Sequence, residues 1–301
     1  MPLNSVTKIV KAKVRAALSR FIPHKYAIDA SSLGDSEELA WTNLGFWKNT
    51  QTYREACRQL ADHLAQAVNL NSKDHLLDLG CGQGASLLHW LQHYHPKSLS
   101  AVELQASCVN KIQKLIPEIS QIFCGSFLNL KQFKFKQRFD VVLCIDAAYH
   151  SHLNSFLDSV TPVLNSKGRL GFHYLMHADS CHNMTMLQEQ KYRYLLKAAD
   201  VSWDAVPTEG ILKTTLEQQG LTDIKIEDLS EQVLLGFSQY IQNQQAQSHN
   251  RGLANFKIQM TAKLCQQLYQ NGYVRYIQIT AIKKQGEPCQ LNIKDHVYVE
   301  L

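Results

Sequence analysis

The chain has 301 residues, of which 45% are hydrophobic and 19% are charged, and its formal net charge is +5. These values are typical of a globular protein with one sizeable core, and they argue against a disordered or fibrous chain. Its apolar runs are far shorter than the roughly 20 residues that a transmembrane helix needs.

Much of the positive charge lies at the amino terminus, where six lysine and arginine residues and no acid occur between Met1 and Tyr26. Apolar side chains from Val6 to Phe21 recur at helical spacing, so this stretch predicts a basic amphipathic helix. Three interpretations stay open: a helix packed on the fold, a helix on an anionic membrane surface, and an organelle transit peptide. We therefore predict a separate segment over residues 1–40, with peripheral membrane contact through residues 1–28 as an alternative to packing.

The eight cysteines include no CxxC pair, and most of them lie inside apolar runs such as residues 141–145. A free thiol in such a run behaves as a small hydrophobic side chain, and reduced thiols are typical of the cytosol. We therefore predict a cytoplasmic protein, membrane-associated only if the basic helix binds lipid.

A helix is predicted over residues 51–68, with Leu60, Leu64 and Val68 on its buried side. From His75 onward, short apolar runs alternate with amphipathic segments, which is typical of βα units in a parallel sheet. The predicted strands are 75–79, 98–104, 121–124, 139–146 and 169–175, and the predicted helices between them are 85–93, 106–115 and 153–164. Such a sheet binds its ligands at the carboxyl ends of its strands.

The alternation stops after Leu175. Residues 176–208 and 231–270 predict long helical stretches, which we interpret as caps over the strand ends. A helix over 209–219 and two more strands over 222–229 and 273–283 complete the pattern. The sequence therefore predicts an α/β fold: a Rossmann-like, doubly wound, seven-stranded, mostly parallel sheet with helical cap insertions. This domain is expected to span residues 41–283, followed by a tail over 284–301.

A glycine turn follows the first predicted strand, in the run Leu76-Leu-Asp-Leu-Gly-Cys-Gly-Gln-Gly84. Because Gly80, Gly82 and Gly84 lack Cβ atoms, a ligand can lie against the backbone at the start of the next helix. The GxGxG spacing differs from the GxGxxG that holds a pyrophosphate. Asp78 would repel phosphate and suits the positively charged methionine end of S-adenosylmethionine. Tight packing alone also produces such turns, and this alternative stays open.

A second acid, Glu103, lies at the end of the next predicted strand, 19 residues past Gly84. A carboxylate there can accept both hydroxyls of an adenosine ribose, as the corresponding acid does in dinucleotide-binding folds. Together with the glycine turn, Glu103 predicts a nucleoside site.

The ordered motifs resemble those of class I methyltransferases. They are the glycine turn, Glu103, Cys124-Gly-Ser-Phe127, Phe139-Asp-Val-Val-Leu-Cys-Ile-Asp146 and Gly168-Arg-Leu170. The resemblance spans roughly residues 41–283 and is greatest to enzymes that act on small molecules, including phosphoethanolamine, quinone, tocopherol and natural-product methyltransferases. The turn Asn165-Ser-Lys-Gly168 departs from the Pro-Gly-Gly that is common in the family, a difference that concerns turn chemistry alone.

The resemblance implies S-adenosylmethionine as cofactor and S-adenosylhomocysteine as product. It implies that Asp78 and the glycine turn hold the methionine end, that Glu103 holds the ribose, and that Asp146 closes the site from the fourth strand. The cofactor-binding residues expected on this basis are Asp78, Gly80, Cys81, Gly82, Gly84, Glu103, Leu104, Ser126, Phe127, Asp146 and Trp47, with Ser126 and Phe127 beside the adenine.

Two further parts of the chain are expected to enclose the reactants. The segment Asn43-Leu-Gly-Phe-Trp47 is similar to the aromatic segment that folds over the cofactor in such enzymes. Phe46 from this segment and Tyr174 from the fifth predicted strand are expected to contact the acceptor.

The run Asp146-Ala-Ala-Tyr-His150 follows the fourth predicted strand and should face the transferring methyl group. Methyl transfer is an in-line displacement. The enzyme therefore chiefly aligns the acceptor's lone pair behind the S–CH3 bond and excludes water. A base is needed where the acceptor is protonated at neutral pH, and histidine suits that task. We therefore predict His150 as the catalytic base or acceptor-orienting group, with Tyr149 as a hydrogen-bond partner or as an aromatic ring that faces a cation. A histidine that merely hydrogen-bonds in a loop is the alternative.

The predicted function is methyl transfer to a nitrogen or oxygen of a small organic acceptor, and two other functions stay open. Asp-Ala-Ala-Tyr resembles the Asp-Pro-Pro-Tyr of exocyclic-amine nucleic-acid methyltransferases, but the prolines and a basic stripe are missing, so no nucleic-acid partner is expected. The other is a non-catalytic scaffold that binds the cofactor.

No metal site is predicted. His173, His177, Cys181 and His182 lie close in sequence, but a strand followed by a helix does not secure the spacing of metal ligands. The nearby side chains Met184, Met186, Tyr192 and Tyr194 are expected to pack between helices, with an apolar acceptor pocket as the alternative.

Overall fold

The computed structural model describes residues 30–247 and 253–285, so the predicted basic helix and nearly all of the predicted tail lie outside the described residues. Within them, seven strands form one sheet in the order β3-β2-β1-β4-β5-β7-β6. The strands are β1 (His75–Leu79), β2 (Ser98–Glu103), β3 (Gln121–Cys124), β4 (Phe139–Cys144), β5 (Leu164–His177), β6 (Leu221–Asp228) and β7 (Val274–Lys283). β7 runs antiparallel to β5 and β6, and the pairs from β3 to β5 are parallel. The predicted α/β fold is confirmed.

The helices connect and cover these strands. They are α1 (Tyr53–Ala67), α2 (Ala85–His89), α3 (Ala106–Leu115), α4 (Leu153–Val160), α5 (Met186–Ala198), α6 (Glu209–Gln218), α7 (Gly236–Gln247) and α8 (Leu253–Asn271). Two π-helical segments, Trp90–Tyr94 and Glu231–Leu235, occur where the sequence predicted regular helix. No helix in the described ranges is long and apolar enough to cross a bilayer.

Hydrophobic side chains cover both faces of the sheet. Successive residues of a strand point to opposite faces, so Leu76 joins a cluster with Leu64 of α1, whereas Leu77 joins a second cluster with Phe156 of α4. A Cβ atom on Gly171 of β5 would lie 2.8 Å from Cγ1 of Val68. Glycine at this position therefore allows the end of α1 to lie directly on the sheet.

β5 is longer than the predicted strand over residues 169–175. Met176 and His177 pair with Arg275 and Val274 of β7, so the two residues continue the sheet and do not begin a cap as predicted. The physical reason is the long antiparallel partner, which satisfies their backbone hydrogen bonds. The α-helix in the predicted cap over 176–208 is correspondingly shorter and covers Met186–Ala198, with a short 3-10 helix on either side of it.

The cap consists of α5 together with α7 and α8. Tyr192 of α5 is buried, and its hydroxyl lies 3.4 Å from the carbonyl oxygen of Gln267 on α8. Met186 and Tyr194, by contrast, are exposed. The prediction that all of the nearby methionines and tyrosines pack between helices is therefore wrong for Met186 and Tyr194, because α5 turns these residues towards solvent.

Candidate functional site

The glycine turn joins β1 to α2 at the carboxyl edge of the sheet. Gly82 and Gly84 have φ angles of 55° and 95°, a region that glycine adopts without steric cost. A Cβ atom on Gly82 would lie 2.6 Å from the hydroxyl of Thr42, and one on Gly84 would lie 2.7 Å from Cγ1 of Ile112. At Gly84 the neighbour is a core side chain, so tight packing, the alternative left open by the sequence, accounts for this glycine.

Glu103, at the end of β2, braces the turn. Its side chain is buried, Oε2 accepts the backbone N–H of Gly82 at 2.9 Å, and Oε1 accepts that of Gln105 at 2.9 Å. A carboxylate oxygen can accept two hydrogen bonds. This bracing is therefore compatible with the predicted role of Glu103 at a ribose.

Asp78 faces the inside of the protein. It is 1% exposed, and its Oδ2 accepts a hydrogen bond from the indole Nε1 of Trp90 at 2.7 Å. Burial raises the pKa of Asp78 to about 6; hydrogen bonds from Trp90 and Ser86 oppose the rise, and the charge of Glu103 adds to it. Burial also raises the pKa of the neighbouring Cys81 thiol, which packs in the core. The observed contacts of Asp78 are structural, and its contact with the methionine end of a cofactor stays a prediction.

Two exposed leucines follow the ends of neighbouring strands. Leu104, directly after β2, is 50% exposed, and Leu128, shortly after β3, is 40% exposed. Because β2 and β3 are parallel, with Glu103 opposite Cys124, both leucines lie at the carboxyl edge of the sheet. Their exposure leaves apolar surface at the edge where parallel sheets bind their ligands.

The residues predicted to border an adenine lie at the same edge. The hydroxyl of Ser126 accepts the backbone N–H of Leu128 at 3.2 Å and so caps the short helical turn Phe127–Gln132. A Cβ atom on Gly80 would lie 3.7 Å from Cε1 of Phe127, so the ring of Phe127 lies next to the glycine turn. The structure therefore brings Ser126, Phe127 and the turn together.

Asp146 follows β4 and joins several parts of the site. It has a φ of 53°, which residues other than glycine rarely adopt. Its Oδ1 accepts the hydroxyls of Tyr149 at 2.8 Å and Tyr276 at 2.9 Å, and its Oδ2 accepts the backbone N–H of Leu44 at 2.7 Å. Burial raises the pKa of Asp146 to about 6, against the opposing effect of these hydrogen bonds. Tyr276 was not among the predicted site residues, because it lies 130 residues from Asp146 and no local pattern marks it.

The backbone of Asp146 is also held, because its N–H donates to Nδ1 of His173 at 3.3 Å, while Nε2 of His173 lies 3.3 Å from Oε1 of Gln278. Burial lowers the pKa of His173 to about 3, so its ring is neutral with the proton on Nε2. His177 instead approaches the thiol of Cys181, with 3.4 Å between Nδ1 and Sγ. Among the described residues, no three metal-ligating side chains form a group that could hold an ion.

Residues 41–47, which we call the closing segment, lie across the edge of the sheet. Thr42 is close to Gly82, and the backbone N–H of Leu44 is bound by the Asp146 carboxylate. The segment therefore connects the glycine turn after β1 with the end of β4, the two places where the sequence predicted cofactor contacts.

The outer side of the closing segment is bound by the cap. The backbone N–H of Trp47 donates to the carbonyl oxygen of Gln232 in the second π-helical segment at 2.9 Å, and its ring stacks on Tyr240 of α7 at 4.3 Å. Phe46 stacks on His63 of α1 at 4.9 Å. The contacts of Trp47 fix the closing segment to the cap, and the predicted contacts of Trp47 with a cofactor and of Phe46 with the acceptor stay predictions.

A cavity of about 450 Å³ lies beside the turn Ala148–His150. Its walls include Tyr149, His150, Lys197 and Trp203. Nδ1 of His150 lies 3.3 Å from the carbonyl oxygen of Asp200. Because a carbonyl only accepts, Nδ1 carries the hydrogen, and Nε2 is the basic nitrogen of the neutral ring. Tyr149 lines the cavity and also donates to Asp146, so it connects the cavity to the site at the end of β4.

Tyr174 supports this turn from below. It is 1% exposed, and its hydroxyl donates to the carbonyl oxygen of Ser151 at 2.6 Å. The observed contact holds the residue that follows His150, and the predicted contact between Tyr174 and the acceptor stays a prediction.

Residues 76–168 match the family model described as a methyltransferase domain. The chain is 35% identical over 85 residues to erythromycin 3''-O-methyltransferase of Saccharopolyspora erythraea, a match that covers 28% of each chain. It is 26% identical over 181 residues to glycine/sarcosine/dimethylglycine N-methyltransferase of Actinopolyspora halophila, covering 58% of this chain and 30% of that protein. The chain therefore spans less than a third of the length of either curated relative.

Solved structures share the fold over most of the chain. A mycolic acid cyclopropane synthase complexed with SAH and CTAB superposes with a TM-score of 0.67 at 16% identity, covering 87% of this chain and 99% of that one. Geranyl diphosphate C-methyltransferase from Streptomyces coelicolor, in complex with Mg²⁺, geranyl diphosphate and S-adenosyl-L-homocysteine, has a TM-score of 0.60 at 13% identity and covers 87% and 98%. At these identities the likeness concerns the fold.

Proposed function

We propose that this chain is a class I S-adenosylmethionine-dependent methyltransferase, in keeping with the methyltransferase-domain match over residues 76–168, and that it transfers a methyl group from S-adenosylmethionine to a nitrogen or oxygen of a small organic acceptor. The observation that carries the proposal is the bond from Gly82 to the Glu103 carboxylate, with Leu104 and Leu128 exposed at the same edge. Bound at this edge, S-adenosylmethionine would supply a methyl group whose carbon an acceptor's lone pair can attack, while the C–S bond breaks and the thioether S-adenosylhomocysteine leaves.

The residues at the edge fit such a cofactor. Glu103 offers a carboxylate to the ribose hydroxyls, and Leu104, Phe127 and Leu128 offer apolar surface to the purine. The carboxylate of Glu103 gives the edge negative charge, which favours a ligand with positive sulfonium and ammonium groups.

The closing segment and Asp146 prepare the site for transfer. Asp146 holds Leu44 on one carboxylate oxygen and the hydroxyls of Tyr149 and Tyr276 on the other, so one side chain fixes both the cover of the site and two side chains within it. A fixed cover keeps water out of the site, which strengthens the electrostatic interactions there and limits side reactions of the methyl donor.

The cavity beside the turn Ala148–His150 is the proposed acceptor site. Its volume lies in the range of small-molecule pockets. In this arrangement Nε2 of His150 accepts the proton that the acceptor's O–H or N–H group loses, and Tyr149 positions the acceptor beside Asp146. The names of the two curated relatives, one an O- and one an N-methyltransferase, support a small-molecule acceptor of this kind.

The test uses the purified full chain. Calorimetry with S-adenosylhomocysteine should show saturable one-site binding, and NAD in the same experiment should show none. Release of S-adenosylhomocysteine should then be measured with amines, phenols, quinones and carboxylates as acceptors. Binding of NAD without binding of S-adenosylhomocysteine would mean that the protein uses another cofactor. Cofactor binding without methylation of any of these compounds would indicate a scaffold. Methylation of DNA or RNA alone would indicate another class of acceptor.

A further inference from the structure

Two helices of the cap expose large apolar side chains. On α5, Met186 and Leu187 are each 80% exposed and Tyr194 is 75% exposed; on α8, Phe256 is 60% and Met260 44% exposed. We call these five side chains the exposed cap face. Single exposed apolar residues are common on protein surfaces. A group of large ones marks a surface that binds a membrane or another molecule.

Helical geometry gives each helix a distinct outer side. Leu187 and Tyr194 are seven residues apart on α5, which places them on one side, while Tyr192 points to the core. Phe256 and Met260 are four residues apart on α8 and likewise share a side, opposite the buried Ile258. The exposure is therefore a property of one side of each helix.

Lysines accompany the apolar side chains. Lys191 and Lys197 are exposed on α5, and Lys257 and Lys263 are exposed on α8. None of the four forms an ion pair with another described residue. The acid of α5, Glu189, is bound by Arg193.

The lysines of α8 lie in a long stretch without negative charge. Residues 232–286 contain six lysine and arginine residues and no aspartate or glutamate. Such a helix side combines apolar side chains with positive charge that no nearby acid neutralises. It is complementary to the surface of an anionic bilayer, where acyl chains lie beneath negatively charged headgroups.

We propose that the exposed cap face docks the protein on an anionic lipid surface. The five apolar side chains would enter the headgroup region, and the four lysines would lie at the level of the lipid phosphates. A second copy of the chain is a poorer occupant, because a two-fold pairing of this face would gather the lysines of both copies in one interface, where like charges oppose association. Lys197 also lines the cavity beside His150, so docking would bring the edge of that cavity to the lipid surface.

The test measures co-sedimentation of the full chain with phosphatidylcholine vesicles that contain or lack phosphatidylglycerol. Binding is expected only with phosphatidylglycerol. The double variants Leu187→Ser/Tyr194→Ser and Phe256→Ser/Met260→Ser should each bind about tenfold more weakly or worse. Lys257→Gln/Lys263→Gln should lose roughly fivefold per lysine, and added salt should reduce binding further.

The matched control is Ile211→Ser, which removes an apolar side chain that is 59% exposed on α6, outside the cap. It should bind vesicles like the unaltered chain, and unchanged thermal unfolding should show that all variants fold. Binding that survives the cap variants but disappears on deletion of residues 1–28 would assign the contact to the amino terminus and overturn the proposal. Absence of vesicle binding, or a dimer in light scattering that the cap variants dissolve, would also overturn it.

Discussion

The carboxylate of Glu103 accepts the backbone N–H of Gly82 at 2.9 Å and thereby ties the end of β2 to the turn that follows β1. The contact is possible because β1 and β2 are parallel neighbours whose carboxyl ends meet at one edge, with Leu79 opposite Val102. A single acid thus shapes the turn and presents its charge at the place where a ligand would meet the turn.

Replacing Glu103 by alanine should weaken the binding of S-adenosylhomocysteine by about 10- to 100-fold, because it removes a charged acceptor and the brace on Gly82. The Kd is measured by calorimetry. Glu118→Ala, which removes an exposed acid after α3, should leave the Kd unchanged. An unaltered Kd in Glu103→Ala would take this residue out of the cofactor site.

Replacing His150 by alanine should reduce kcat by about 100- to 10,000-fold while the Kd for S-adenosylhomocysteine stays the same, because the variant loses a proton acceptor and keeps the cofactor site. The pH profile of kcat should also lose the limb that rises as the imidazole of His150 deprotonates. His182→Ala, an exposed histidine outside the cavity, serves as the control. Full turnover in His150→Ala would make His150 a bystander.

Replacing Asp146 by glycine should release the closing segment. Glycine tolerates the φ of 53° at this position, so the change removes the carboxylate without adding backbone strain. Hydrogen exchange measured by mass spectrometry should become faster in a peptide covering residues 41–47, because the N–H of Leu44 loses its acceptor. A peptide from α3 is the internal control, and equal exchange in both proteins would show that Asp146 does not hold the segment.

Replacing Asp78 by asparagine should change how stability depends on pH. The pKa of Asp78 is about 6 in the folded chain and near 3.8 when the side chain is solvated, so the folded state holds the proton more tightly. The stability that this group contributes is therefore present below about pH 4 and is lost as pH rises through 6. Asparagine does not titrate and can still accept from Trp90.

Denaturant unfolding of both proteins between pH 4 and 8 measures this effect. The free energy of unfolding of Asp78→Asn, relative to the unaltered chain, should rise by roughly 2 to 3 kcal/mol across that range. A difference that is constant with pH would mean that the Asp78 carboxyl has an ordinary pKa in the folded protein.

Local patterns predicted most of the sheet. The predicted bounds of the strand over residues 121–124 and of the helix over 106–115 are the bounds in the structure. These elements are predictable because the spacing of apolar residues along a segment follows from how that segment buries its own side chains. The extension of β5 to His177 was not predictable in this way, because it depends on pairing with Arg275 and Val274, nearly 100 residues away.

By itself, then, the sequence determined the order of strands and helices, the glycine turn, and the positions of Glu103, Asp146 and His150 at strand ends, since each depends on a few neighbouring residues. Only the tertiary structure decided that the Asp78 carboxylate turns inward to Trp90, and that Tyr276 and Leu44 meet on Asp146. Side-chain direction in a buried site depends on which partners packing supplies, and those partners come from strands and loops far apart along the chain.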